Sequence, residues 1–302
     1  VKIAIVGAGG VGGYLAAKLA DAGADVYVVA RGKHLLAIRE TGICLQMPEE
    51  THCVFPKAVE DDPKEFHTTM DYLFFCVKGY ALEAAAEIVK PIVSPSTVLV
   101  PLGNGVDNDR VLRRYYPENI IANGAIYIVS HLVEPGVIEV QSKRAYIVFG
   151  VDGEVPKPLM ELAEILRKAG LKVKVSDDIT TDVWKKFLLI SAMGTLTSCY
   201  DAPMGAILSE HRKELEEILH EILAVGKAEG AKLDEKDIDR VIDQISRVPY
   251  EAPTSMWLDF KAGKKTELEQ LSGYVVRKAK EHGIDVPVVT KCYERLKKRI
   301  SA

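Results

Sequence analysis

Two lysines, Lys185 and Lys186, stand near the head of WKKFLLISAMG at 184–194, a stretch otherwise almost wholly apolar or small. On a helix, Lys186 aligns with Ile190, Met193, Gly194 and Thr197, and Lys185 with Leu189 and Ala192. An ammonium drawn into such a region has its charge disfavoured by desolvation and can serve as a proton donor. The plainer reading lets both lysines snorkel to water at the helix start, and spacing alone favours it. Ser255 and Glu267 pose the same choice. Ser255 reads as a helix-start residue in PTSM, and Glu267 as a first-turn carboxylate that complements a helix dipole.

A second set of residues points to a dinucleotide. Gly7, Ala8, Gly9, Gly10, Val11 and Gly12 spell G-x-G-x-x-G, directly after the strand-like KIAIV and at the start of a helix. Gly7 permits the tight turn, Gly9 lets the backbone approach a pyrophosphate, and Gly12 lets the helix pack on the strand. The helix N-terminus offers unpaired N–H groups and a positive dipole end to phosphate. At the end of the next strand an NAD enzyme usually carries an acid, which accepts from the ribose hydroxyls. Here VVARGKH puts Arg31 there, with Lys33 close by. A guanidinium can hold a 2′-phosphate bidentately, which favours NADP(H) over NAD. Lys78, after YLFFCV, and Asn104, between the glycines of GNG, each follow a strand, where a doubly wound fold meets cofactor or substrate.

The elements that must position these residues divide the chain in two. KIAIV, DVYVVA, YLFFCV and TVLVPL are continuous apolar runs separated by helices, the pattern of a parallel sheet covered on both faces. NIIANGAIYIVS, GVIEV and AYIVFG, with a turn at Pro135-Gly136, predict an antiparallel extension. A helix near 156–169 and the strand LKVKV complete this part. From Asp177 onward only helices are predicted: about 179–198, 209–230, 234–248, a segment opening at PTSMWLDF, and a last one from about 267 to His282 with Thr266 and Glu269 as its capping box. The expected fold class is an α/β Rossmann-type N-terminal domain over 1–176 followed by an all-α C-terminal domain over 177–302.

Composition narrows the classes. A formal charge of −4 gives no global attraction to nucleic acid or anionic membrane. No apolar run approaches the roughly 20 residues of a membrane span, and no signal-peptide order opens the sequence, so the expected compartment is the cytoplasm. Five scattered cysteines with no C-x-x-C indicate neither a disulfide framework nor a metal site. The sequence does not fix the oligomeric state; it admits a homodimer.

Taken in order, GAGGVG, the AR ending the second strand, CVK at 76–78, GNG at 103–105, WKK at 184–186, SMWLD at 255–259 and TELEQLSG at 266–273 make the chain resemble the ketopantoate reductase (2-dehydropantoate 2-reductase) family over nearly its whole length. The resemblance implies NADPH-dependent reduction of a 2-keto acid to a 2-hydroxy acid in pantothenate biosynthesis, in the cleft between a Rossmann and a helical domain. It implies Lys186 as general acid and Glu267 as the carboxylate that orients that lysine or the substrate hydroxyl. Ser255 would bind the substrate carboxylate, Asn104 would hold substrate and lysine, and Arg31 and Lys78 would recognise the 2′-phosphate. The chemistry fits these types, because hydride transfer builds negative charge on oxygen, and a nearby ammonium stabilises it and supplies the proton. The family's usual asparagines one and two turns after the lysine, and after the proline of DAPMG, are here Ile190, Gly194 and Met204. A hydroxylated substrate would lose hydrogen-bond partners at such a wall. Three readings follow: ketopantoate reduction, reduction of a more apolar 2-keto acid on the same scaffold, and an inactive NADP(H)-binding regulator.

Overall fold

The computed structural model describes residues 1–142 and 144–301, and they fall into two compact units. The first comprises Val1–Gly103 with Asp107–Ile179, and the second comprises Asn104–Val106 with Thr180–Ala302. Asn104 thus groups with the helical part of the chain, although it follows a strand of the first unit.

The first unit runs β1 (Lys2–Val6), α1 (Gly10–Asp21), β2 (Asp25–Val29), α2 (Gly32–Thr41), β3 (Ile43–Gln46), β4 (Thr51–Val54), β5 (Ala58–Glu60), β6 (Tyr72–Phe75), α3 (Leu82–Ile88), β7 (Val98–Pro101) and α4 (Asn108–Arg113). It continues through β8 (Asn123–Tyr127), β9 (Ser130–Glu134), β10 (Val137–Val140), β11 (Tyr146–Gly150), α5 (Lys157–Lys168) and β12 (Lys172–Ser176). Strands β5-β2-β1-β6-β7 form one parallel sheet in that order. Side-chain alternation explains its unbroken apolar strands. Ile3, Ile5, Val26, Val28 and Phe74 join the core on one face, while Ala4, Val6, Tyr27, Val29, Leu73 and Phe75 join a separate core on the other. The chain leaves β1 for β2 on one side and later returns to β6 on the other, so the turn after β1 lies at the topological switch point of the sheet.

The antiparallel extension is present, but it is split between two sheets. β8 pairs antiparallel with β11 in the three-stranded order β12-β11-β8, whereas β9 and β10 form a hairpin in the order β4-β3-β10-β9. That second sheet carries a covalent cross-link. Cys44 and Cys53 are disulfide-bonded, nine residues apart, where no disulfide was expected. Met47 N–H donates to Glu50 O at the hairpin end, so alternation puts Cys44 opposite Cys53 at a non-hydrogen-bonded pair, where antiparallel strands approach most closely. Their Cα atoms are 4.0 Å apart. Strand register, not a local motif, makes the pair.

The second unit is helical: α6 (Ile179–Tyr200), α7 (Met204–Glu210), α8 (Arg212–Ala228), α9 (Glu235–Ser246), α10 (Ser255–Lys261), α11 (Ser272–His282) and α12 (Pro287–Ser301). α6 is buried nearly all round over its last two-thirds, as a central helix must be when its sequence lacks a polar face. Two expectations fail here. The predicted helix from 267 starts only at Ser272, and Thr266 Oγ1 accepts from Leu268 N–H rather than from residue 269. Glu267 therefore precedes the helix, and tertiary contacts override the capping-box pattern. His282 also does not end the helices, because Pro287 opens α12 at the position where its missing N–H costs nothing. The carboxylate of Glu221 accepts from Val288 and Val289 N–H, each at 2.9 Å, at the start of that helix. No helix among the described residues is long and apolar enough to cross a membrane.

Candidate active site

The turn between β1 and α1 has the form a dinucleotide requires. Gly7 sits at φ +93°, and a Cβ there would lie 2.8 Å from Val77 Cγ1. A Cβ on Gly12 would stand 1.9 Å from Gly7 O, so only glycine lets α1 start so close to β1. Gly9 differs, since a Cβ there would meet nothing within 4 Å. Its glycine is not demanded by the protein's own packing, and the open space above it fits close approach by a ligand backbone. α1 begins at Gly10 with no side-chain cap and no acidic residue in its first turn, which leaves its N–H groups and dipole for an anion.

These facts separate two substitutions. Gly9→Ala is expected to melt within a few degrees of the wild type yet bind a nicotinamide dinucleotide roughly tenfold or more weakly. Gly12→Ala is expected to lose folding stability outright, because the new atom collides with backbone. Thermal melting paired with nucleotide titration checks both.

Arg31 caps α2 just after β2 and is exposed, and Lys78 follows β6. Both stand at the carboxyl ends of strands flanking β1, the edge that carries the glycine turn.

In the second unit three of the expected residues meet. Lys186 Nζ donates to Asn104 Oδ1 at 3.1 Å, and Asn104 Nδ2 donates to Glu267 Oε2 at 3.2 Å. The amide links the ammonium to the carboxylate. Glu267 is only 2% exposed, and a carboxylate so buried needs such partners. Burial pushes Lys186 down to about 8, against the opposing pull of the Glu267 charge. Lys185 and Lys186 are both partly exposed as whole residues, but burial reaches the Lys186 ammonium, and Lys185 shares none of the hydrogen bonds just described. Aromatic packing sets the rotation of α6: Trp184 and Phe187 meet edge-on at 5.1 Å, and both rings pack with Tyr274 of α11. At 3.6 residues per turn this turns Lys186 away from the aromatic face.

Ser255 is the first residue of α10, exposed, and no hydrogen bond among the described residues ties it to Lys186, Asn104 or Glu267. Its neighbours fix its place. Thr254 Oγ1 caps α10 by accepting from Trp257 N–H and shares a 2.7 Å hydrogen bond with Thr197 Oγ1 of α6. Trp257 Nε1 donates to Asp201 Oδ1 at 2.6 Å. The sequence points to neither Asp201 nor Thr254, and to Thr197 only as a residue on the Lys186 face of its helix; of the three, only the Thr254 cap has a local signal. Met256 and Leu271 stand 3.5 Å from where a Gly194 Cβ would be, so the wall two turns after Lys186 is apolar. Ile190 is partly exposed, and Met204 opens α7 with its N–H on Ala252 O.

Residues 3–153 match the family model of ketopantoate reductase PanE/ApbA, and residues 178–299 match that of its C-terminal part. The chain belongs to the ketopantoate reductase family. It is 28% identical to the uncharacterized oxidoreductase YkpB of Bacillus subtilis over 98% of both chains. It is 27% identical to a 2-dehydropantoate 2-reductase of Archaeoglobus fulgidus over 95% of this chain and 94% of that one. The crystal structure of 2-dehydropantoate 2-reductase from Porphyromonas gingivalis superposes with a TM-score of 0.86 at 31% identity, over 98% of this chain and 99% of that one. As a member of this family, the chain is an oxidoreductase with a Rossmann-like N-terminal part and a helix-rich C-terminal part.

Proposed function

We propose that the protein reduces a 2-keto acid to the 2-hydroxy acid with NADPH, and that the acid is 2-dehydropantoate. The observation that carries the proposal is the chain of hydrogen bonds from Lys186 through Asn104 to Glu267. Bound at the glycine turn, reduced nicotinamide dinucleotide would supply the hydride. Lys186 then meets the charge that grows on the carbonyl oxygen and gives that oxygen its proton. Asn104 takes one Lys186 N–H and so fixes the direction in which the remaining ones point. Glu267 keeps the ammonium charged by its field and holds Asn104 by accepting from its amide. Ser255 receives the substrate carboxylate through its exposed hydroxyl. Gly7–Gly12 hold the pyrophosphate, and Arg31 with Lys78 take the 2′-phosphate. The retention of this ammonium, amide and carboxylate set supports an active enzyme over a nucleotide-binding regulator.

A second reading keeps the chemistry and changes the substrate to a more apolar 2-keto acid. The apolar wall at Gly194, formed by Met256 and Leu271, favours it. The test is substitution of that wall. If 2-dehydropantoate is the substrate, Gly194→Asn leaves its kcat/KM unchanged or raises it. If the substrate is more apolar, the same change lowers kcat/KM for that acid roughly tenfold or more, since a buried amide would lack a partner.

A further inference from the structure

His34 lies in the first turn of α2, three residues after Arg31. Its ring bridges two parts of the first unit. Nε2 is 2.7 Å from Ala8 O, inside the glycine turn. Nδ1 accepts from Gly136 N–H at 2.9 Å, in the turn that joins β9 to β10. Because Nδ1 accepts, the ring's hydrogen sits on Nε2, and Nε2–H donates to Ala8 O. Burial holds this imidazole below its ordinary range, which favours the neutral form that the bond from Gly136 needs; the bond to Ala8 O pulls the other way.

The Ala8 bond matters because of the peptide plane. In a trans peptide the C=O of Ala8 and the N–H of Gly9 point in opposite directions across one rigid unit. An anchor on the Ala8 oxygen therefore aims the Gly9 N–H. It also draws a partial negative charge away from where an anion would sit. The hairpin that supplies Gly136 backs the same turn: a Cβ on Gly10 would lie 2.3 Å from Ser130 O, and one on Gly13 2.7 Å from Ile138 Cδ1.

We infer that His34 is a positioning residue of the dinucleotide site, which holds the Ala8–Gly9 peptide with its N–H turned toward the pyrophosphate. The inference rests on the dinucleotide reading proposed above. It deepens that reading by naming a residue that touches no cofactor atom. α2 then serves the ligand twice, with Arg31 toward the 2′-phosphate and His34 toward the pyrophosphate through Ala8.

Two amides separate the two ring nitrogens. Glutamine places its amide nitrogen where Nε2 stands and keeps the bond to Ala8 O. Asparagine reaches only the Nδ1 position and keeps the contact with Gly136. Dissociation constants for NADPH and NADH, kcat at saturating nucleotide, and melting temperature without nucleotide are measured for the wild type, His34→Gln and His34→Asn. With both variants folded, His34→Gln is expected to bind within about threefold of the wild type. His34→Asn is expected to bind both nucleotides about tenfold more weakly, by one common factor, with kcat within about twofold. Wild-type affinity in His34→Asn overturns the inference, as does a folded His34→Gln that binds as weakly as His34→Asn. A loss in His34→Asn much larger for NADPH than for NADH also overturns it, because that pattern reports a displaced Arg31. A wild type that binds neither nucleotide overturns the dinucleotide reading itself.

Discussion

Lys186→Met is expected to lower kcat for 2-keto acid reduction by about 10²- to 10⁴-fold, the range over which a positioned general acid contributes. Methionine keeps the apolar stem in place on α6 and removes only the ammonium. Nucleotide binding should be nearly unchanged, because the glycine turn, Arg31 and Lys78, to which the phosphates are assigned, lie in the first unit. Lys186 also predicts a pH profile. Its ammonium is held at about 8, so it is charged below that pH and neutral above it. Reduction needs the charged form, and kcat/KM, which reports the free enzyme, should therefore fall tenfold per pH unit once pH passes about 8. The alkaline limb should be missing in Lys186→Met. Glu267 raises the lysine's pKa by its charge, so Glu267→Gln should move the limb to lower pH. Steady-state kinetics of the three proteins across the alkaline range checks the set, and an unmoved limb in Glu267→Gln would remove that carboxylate from its assigned role.

Arg31→Ala is expected to raise KM for NADPH about 10- to 100-fold and to leave KM for NADH within about twofold. The two cofactors differ only by the 2′-phosphate, and a guanidinium–phosphate contact is a charge-assisted, bidentate interaction with no counterpart in NADH. The guanidinium is exposed at the end of β2, so its removal should leave melting unchanged. High salt should weaken NADPH binding to the wild type more than to Arg31→Ala. Equal losses for NADPH and NADH would place Arg31 elsewhere in the cofactor's contacts.

Much of this was legible in the sequence because the local pattern and the global fold agree. The strands of the parallel sheet are unbroken apolar runs, and the G-x-G-x-x-G turn lies between a strand and a helix, so its role reads directly. α6 is legible for the same reason, since a long apolar stretch among helices has to be central. Lys186 is a different case. Spacing gave it no advantage over Lys185, and only the ordered family motifs singled it out. In the structure its ammonium meets an amide from a loop 82 residues earlier, a contact no local pattern shows. Features made by long-range register stayed hidden. The Cys44–Cys53 pair depends on the alignment of β3 with β4, His34 on the meeting of α2 with two separate turns, and the late start of α11 on the burial of Glu267. Helix α12 was missed because Pro287 reads equally well as a stop and as a first helical residue.

The most direct measurement is NADPH oxidation by the purified protein over a panel of 2-keto acids that includes 2-dehydropantoate, repeated with Lys186→Met. The wild type is expected to consume NADPH with at least one 2-keto acid, 2-dehydropantoate foremost, and to release the matching 2-hydroxy acid, and Lys186→Met to do so at least about a hundredfold more slowly. A wild type that binds NADPH and reduces no member of the panel would contradict this, and so would undiminished turnover in Lys186→Met.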